Sequence, residues 1–126
     1  MNEPEALEVL NMHAANAMGS FTIYLSLTFA YLTAVYIVGA KLSRAQAVLI
    51  SLLYFSWANA FGLSAIAHLQ SLEAIIDQYP QYIYSSLMHL PWSYFGYVVI
   101  SGGIFVCFGF IFATRRQNLR ASKVHT

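Results

Sequence analysis

The chain has 126 residues, of which 59% are hydrophobic and 9% charged, against about 25% charged residues in ordinary soluble domains. A domain this small has a large surface for its volume and needs polar side chains to cover it in water. The composition therefore points away from a water-soluble globular fold. The formal net charge of +1 says little about partners because the charges are segregated along the chain, and a nucleic-acid partner is not expected.

The segment ahead of the first long apolar run carries Glu3, Glu5 and Glu8 but no Lys or Arg. A cleaved signal peptide has a basic segment there, so the first apolar run is expected to stay in the mature chain. Asn2 as a cap, Pro4 in the first turn and the three glutamates near the positive end of a helix dipole predict a short helix. Its apolar positions Leu7, Leu10, Ala14 and Ala17 have helical spacing. This segment either lies on the membrane interface or extends the first span outward.

Residues 9–40, 45–72 and 78–114 contain no Asp, Glu, Lys or Arg. Each run exceeds the roughly 20 residues that cross a hydrocarbon core about 30 Å thick. The expected fold is an all-α membrane protein forming one domain, with spans at about 20–40, 45–69 and 93–114 and a basic tail at 115–126. Gly39 stands where the first helix should end, and Ser43 followed by Gln46 has the form of a capping box. A tight antiparallel hairpin is expected to join the first two spans. The second helix is expected to run on from Ser43 toward Asp77. Between helices 2 and 3, Tyr79, Tyr82, Tyr84 and Trp92 favour a bilayer interface. With Pro80 and Pro91 as its bounds, this connection is expected to be a short amphipathic segment on the outer surface.

Every basic side chain falls in one of two places, Lys41 and Arg44 after the first span or Arg115, Arg116, Arg120 and Lys123 after the third. Both places lie on one side of a three-span chain. The enrichment of Lys and Arg in cytoplasmic loops makes that side cytoplasmic, with the amino terminus outside. A plasma (inner) membrane location is expected. In a continued helix Arg116, Arg120 and Lys123 share a face, which serves as a topology anchor, a contact with anionic headgroups or a face for a cytoplasmic partner.

Small residues recur at spacings that let membrane helices approach closely. They are Ser26, Ala30 and Ala34 on the first span and Ser56, Ala60 and Ser64 on the second. On the third, Gly96 pairs with Gly103 and Gly102 with Gly109 at seven-residue spacing. Such stripes either pack the three helices of one subunit or join subunits.

The expected spans hold no Asp, Glu, Lys or Arg, which argues against a carboxylate-based proton antiporter. Asn59 is the most polar side chain near mid-membrane, and an interhelical hydrogen bond is its expected role. Cys107 inside the third run is expected to behave as a small hydrophobe. P-loop, zinc-helix and nucleophile-elbow motifs are absent from the sequence. His13, His68 and His89 fall at similar depth near the outer surface. Two of them follow a methionine, as Met12-His13 and Met88-His89, and Met18 is nearby. Imidazole with thioether sulfur suits copper, particularly Cu(I), and the acidic outer segments attract cations, so copper or zinc is the expected metal. If these side chains converge they form an outer metal site; otherwise they are interface residues.

The leading expectation is a non-enzymatic small membrane protein that acts by assembly, with itself or as an accessory subunit of a larger complex. A homo-oligomeric transporter or channel for a small solute, lined by Ser56, Asn59 and Ser64, is the alternative. An outer-face copper or zinc binder is third. The orientation is checked by reporters at residue 1, near Ser85 and after Thr126. The expected pattern is outside, outside and inside, and a carboxyl terminus found outside overturns it.

Overall fold

A computed structural model describes residues 2–39, 41–80 and 90–124, with side chains as far as Arg116. Three α-helices follow in order: α1 (Glu3–Val38), α2 (Arg44–Gln78) and α3 (Trp92–Val124). Each contains a stretch long and apolar enough to cross a membrane. The amphipathic segment expected between helices 2 and 3 falls at residues 81–89, outside the described residues, as does His89.

All three helices run past the expected spans. With 36 and 35 residues, α1 and α2 are each about 52–54 Å long at 1.5 Å per residue, well beyond a hydrocarbon core of about 30 Å. The amino-terminal helix is not a separate element lying across an interface. It is continuous with the first apolar run, because residues 3–38 contain no proline after Pro4 and no break at Gly19.

Local chemistry sets the helix ends. Asn2 Oδ1 accepts from the Glu5 N–H at 3.0 Å while Glu5 Oε2 accepts from the Asn2 N–H at 3.0 Å. Ser43 and Gln46 form the same reciprocal pair at the start of α2, at 3.2 and 2.9 Å. Each box satisfies two backbone donors that have no partner within their own helix. Gly39 ends α1 in right-handed geometry, with φ −56° and its N–H donating to Val35 O. The close turn follows, in which the N–H groups of Lys41 and Leu42 both donate to Val38 O at 2.9 and 3.2 Å.

The α1–α2 hairpin is the most extensive contact in the molecule. On α1, Leu10, Ala17, Tyr24 and Tyr31 are buried at seven-residue intervals. On α2, Ala47, Ser51, Tyr54, Ala58, Ala65 and Leu72 are buried in steps of four, three and seven. A repeat of 3.5 residues keeps one seam facing its partner and is the periodicity of left-handed coiled-coil packing. The small-residue stripes on the first two spans are not this seam. Ser26, Ala30, Ser56 and Ala60 are exposed, and large apolar side chains such as Phe29, Leu52, Leu53 and Leu63 are exposed beside them. The outward faces are as apolar as the seam, so the seam is recognised by its period rather than its hydrophobicity.

Helix α3 packs against the hairpin through Ile100, Cys107 and Ile111, all buried. Cys107 is a free thiol, fully buried in the larger core cluster and beside the Tyr54 hydroxyl. The glycines of α3 divide by face. A Cβ on Gly103 would meet the Tyr24 hydroxyl, and one on Gly96 would lie 3.3 Å from Leu69 Cδ1. Gly62 on α2 leaves room for Ile100 in the same way, since a Cβ there would fall 2.8 Å from its Cγ2. Gly102 and Gly109, by contrast, have nothing within 4 Å of a Cβ position.

The sequence around the start of α3 lacks its own cap, because Pro91 precedes the helix and has no side-chain acceptor. Glu73 of α2 supplies one. Its two carboxylate oxygens accept from the Ser93 N–H at 2.8 Å and the Ser93 hydroxyl at 2.7 Å. A negative charge at a helix amino terminus is favoured by the helix dipole as well as by the hydrogen bonds.

Gly103 and Tyr24 make the packing testable. The Tyr24 ring is 1% exposed and has no room to retreat, so Gly103→Ala forces an overlap costing about 1–3 kcal/mol. That exceeds the gain of up to about 1 kcal/mol from replacing a helical glycine. Unfolding titrations in mixed micelles should show Gly103→Ala destabilised and Gly102→Ala unchanged or slightly stabilised. Tyr24→Phe should recover part of the Gly103→Ala loss, because it removes the atom in the way.

Candidate functional site

Polar side chains cross the α1–α2 seam as a series of rungs. Tyr31 Oη and Ser51 Oγ are 3.0 Å apart, and Tyr54 Oη lies 3.1 Å from Thr28 Oγ1. Further along, Ser20 Oγ meets Ser64 Oγ at 3.1 Å and His13 Nδ1 meets His68 Nδ1 at 3.2 Å. As positions on α1 fall, their partners on α2 rise in step, as an antiparallel register requires.

The proton directions at one rung follow from donor counting. Thr28 gives its single hydroxyl proton to Tyr24 O at 2.9 Å, so Tyr54 is the donor to Thr28 Oγ1. Tyr24 donates across to Ile100 O on α3 at 3.0 Å. The Tyr31 and Tyr54 rings stack with centroids 4.3 Å apart and planes within 19°. All three tyrosines are buried, and each hydroxyl has a partner. No buried side-chain nitrogen or oxygen among the described residues lacks one.

Successive rungs from His13 to Ser20 and from Ser20 to Thr28 are about 10–12 Å apart along α1. Ala17 and Ala65, both buried, fall between the first two. The rungs are therefore separate cross-links and not a continuous hydrogen-bonded wire. They also divide the interior. One apolar cluster contains Leu10, Leu72 and Ile76, with Ala14 and Ile75 against it. The other runs from Tyr24 and Ile66 to Ile111. Between the two clusters stand the His13 to His68 and Ser20 to Ser64 rungs, with Ala17 and Ala65.

The histidine rung is the most chemically versatile of these. The rings are partly buried, with centroids 5.4 Å apart and planes inclined at 46°. At 3.2 Å, one Nδ1 carries a proton and donates while the other presents its lone pair, so two neutral rings adopt opposite tautomers. Both are held on helices rather than loops. The carboxylates of Glu3, Glu5, Glu8, Glu73 and Asp77 stand at the same end of the bundle, where α1 begins and α2 finishes.

The other residues singled out from sequence are distributed differently. Asn59 donates to Phe55 O of its own helix at 2.7 Å, not to a neighbouring helix, because it stands at the partly exposed edge of the seam. Ser56 is exposed and bonds Leu52 O at 2.9 Å. Ser64 alone of that set points between helices. Lys41 and Arg44 are exposed at the opposite end of the bundle from the glutamates, where Arg115 and Arg116 also lie. The side chains of Arg120 and Lys123 fall outside the described residues. Met12 and Met18 are exposed.

Sequence reasoning did not single out Tyr24, Tyr31 and Tyr54, the side chains that pin the seam. Their signal was available in the seven-residue interval from Tyr24 to Tyr31 and in the Ser51 to Tyr54 to Ala58 steps. Polar tips at such positions need partners when buried. No protein-family model, curated protein or solved structure matches this chain.

Proposed function

We propose that the chain is a small multi-pass membrane protein, inserted with its amino terminus outside and its basic end in the cytoplasm, that acts by assembly and not by catalysis. Its partner is a second copy or another subunit of a membrane complex. One observation carries this reading: Gly102 and Gly109 are open on the outer face of α3, while Gly96 and Gly103 on the same helix face the chain's own helices. Exposed Phe105, Val106 and Phe112 adjoin the open pair. Close approach of helix backbones in lipid is built on such small residues, since burial of apolar surface gives no driving force there.

Asn59 supports the same reading. Its amide uses one N–H on Phe55 O, leaving a carbonyl and a second N–H that a partner helix satisfies. An amide is self-complementary, so a symmetric pair satisfies both copies. Interhelical hydrogen bonds of this kind contribute about 0.6–2 kcal/mol, enough to bias association without fixing it alone.

The test is the mass of the purified protein in mild detergent and in bilayers, with identification of copurifying chains. An assembly larger than one chain, or a stoichiometric partner, is expected. Gly102→Leu with Gly109→Leu should reduce it at least severalfold while leaving the fold intact, since neither position touches the chain's own interior. A stable monomer in bilayers with nothing copurifying defeats the proposal. Saturable solute uptake by vesicles containing the protein alone replaces it with the transporter reading.

A further inference from the structure

We propose that His13 and His68 form a two-imidazole site for a zinc-class divalent metal ion, bridging α1 and α2 within one chain. The inference does not rest on assembly, because both ligands belong to the same hairpin.

The ligand spacing is the first argument. The two Nδ1 atoms are 3.2 Å apart. Zinc holds imidazole nitrogen at about 2.0–2.1 Å in tetrahedral geometry, which places two such ligands roughly 3.3–3.4 Å apart. Two-coordinate linear binding, open to monovalent copper, requires twice the bond length, about 4 Å at similar bond lengths. The rung therefore fits a tetrahedral edge within about 0.2 Å and misses the linear geometry by several times that margin. Metal entry needs the donor ring to move its proton from Nδ1 to Nε2. It also needs both rings to turn from pointing at each other toward a common point beside the Nδ1–Nδ1 line, which their partly buried positions leave room for. Both rings then present lone pairs, and both Nε2–H groups remain free for outer partners, as metal-bound histidines use them.

Preorganisation is the second. Sites placed on helices are held more firmly than sites on loops. Here the backbone is fixed on one side by the Leu10, Leu72 and Ile76 cluster. On the other side Ala17 and Ala65 are buried and Ser20 bonds Ser64 at 3.1 Å. The rings themselves are only partly buried, which leaves a route of entry and two coordination positions for water or an added donor. Among the described residues no third His, Cys, Asp or Glu joins the pair, so this is an open site and not a closed structural one. The field of the five carboxylates at this end of the bundle favours cations over anions.

The experiment uses the full chain in nanodiscs of neutral lipid, stripped with chelator and titrated with zinc at neutral pH against a competing indicator. One zinc per chain is expected. Cobalt substituted for zinc should give the absorption of a tetrahedral site, and histidine ¹⁵N spectra should show the metal on Nδ1 of His13 and His68. Each of His13→Ala and His68→Ala should weaken binding by about tenfold or more, a ligand being worth at least as much as the outer partners whose loss has that effect. If either alanine variant fails to fold, His68→Gln keeps a hydrogen-bonding group on the rung and should show the same loss. Binding that survives both substitutions, binding abolished by His89→Ala alone, or a folded protein that retains no zinc overturns the assignment.

Discussion

The structure depends on the antiparallel seam between α1 and α2. Two helices of this length joined by a tight turn have one natural arrangement, side by side and reversed. What decides their rotation and register is the 3.5-residue repeat of buried positions on each. In an apolar surrounding that repeat is not marked by hydrophobicity, because the outward faces are equally apolar. It is marked by size and hydrogen-bonding capacity, with alanines where backbones approach and with tyrosine, serine, threonine and histidine where the seam is cross-linked.

Each rung is modest in energy, since interhelical hydrogen bonds between polar side chains in membranes average about 0.6 kcal/mol. Their larger effect is on specificity. A slip of the seam by one residue leaves the hydroxyls of Tyr31 and Tyr54 without their partners on the facing helix, and each unsatisfied buried group costs about 1–3 kcal/mol. Two such losses outweigh the roughly 0.6 kcal/mol that a rung contributes when made. The paired hydroxyls thus act chiefly by penalising the wrong alignment. Tyr24 extends the same logic to α3, because its bond to Ile100 O requires a residue without a side chain at Gly103.

The sequence was most legible where chemistry is local. The charge-free runs, the Asn2 cap, the box at Ser43–Gln46 and the hairpin turn all follow from residues within a few positions of one another, and the structure contains each of them, with Glu5 completing a second box at Asn2. Long-range features were less legible. The cap on α3 comes from Glu73, twenty positions before Ser93, and nothing near Pro91 announces it. The stripe Ser26, Ala30, Ala34 follows a spacing of four, which drifts away from a 3.5-residue seam, and two of its members are exposed. Among the α3 glycines, the seven-residue spacing carried no information on which of them face inward; that depends on Tyr24 of α1 beside Gly103 and on Leu69 and Ile66 of α2 beside Gly96. For the histidines, similar depth on opposite helices was readable from topology, whereas contact between His13 and His68 depends on the rotation of both helices about their axes.

The histidine rung occupies a particular place in this design. An antiparallel seam that needed only stability would continue its apolar cluster from Leu10 and Leu72 through to Tyr24 and Ala58. Instead the α1–α2 seam between them carries two polar rungs with Ala17 and Ala65, while Ile66 of the larger cluster stands on α2 between Ser64 and His68. The widest side chains of the rungs are imidazoles with their Nδ1 atoms 3.2 Å apart. A hydrogen bond between two imidazoles through the same ring position requires complementary tautomers, so it is a more demanding staple than a pair of hydroxyls. The serine pair at Ser20 and Ser64 performs that task without any such dependence. The imidazoles add what serines lack, two nitrogen lone pairs that a tautomeric shift frees and a modest turn of both rings aims at one point between α1 and α2.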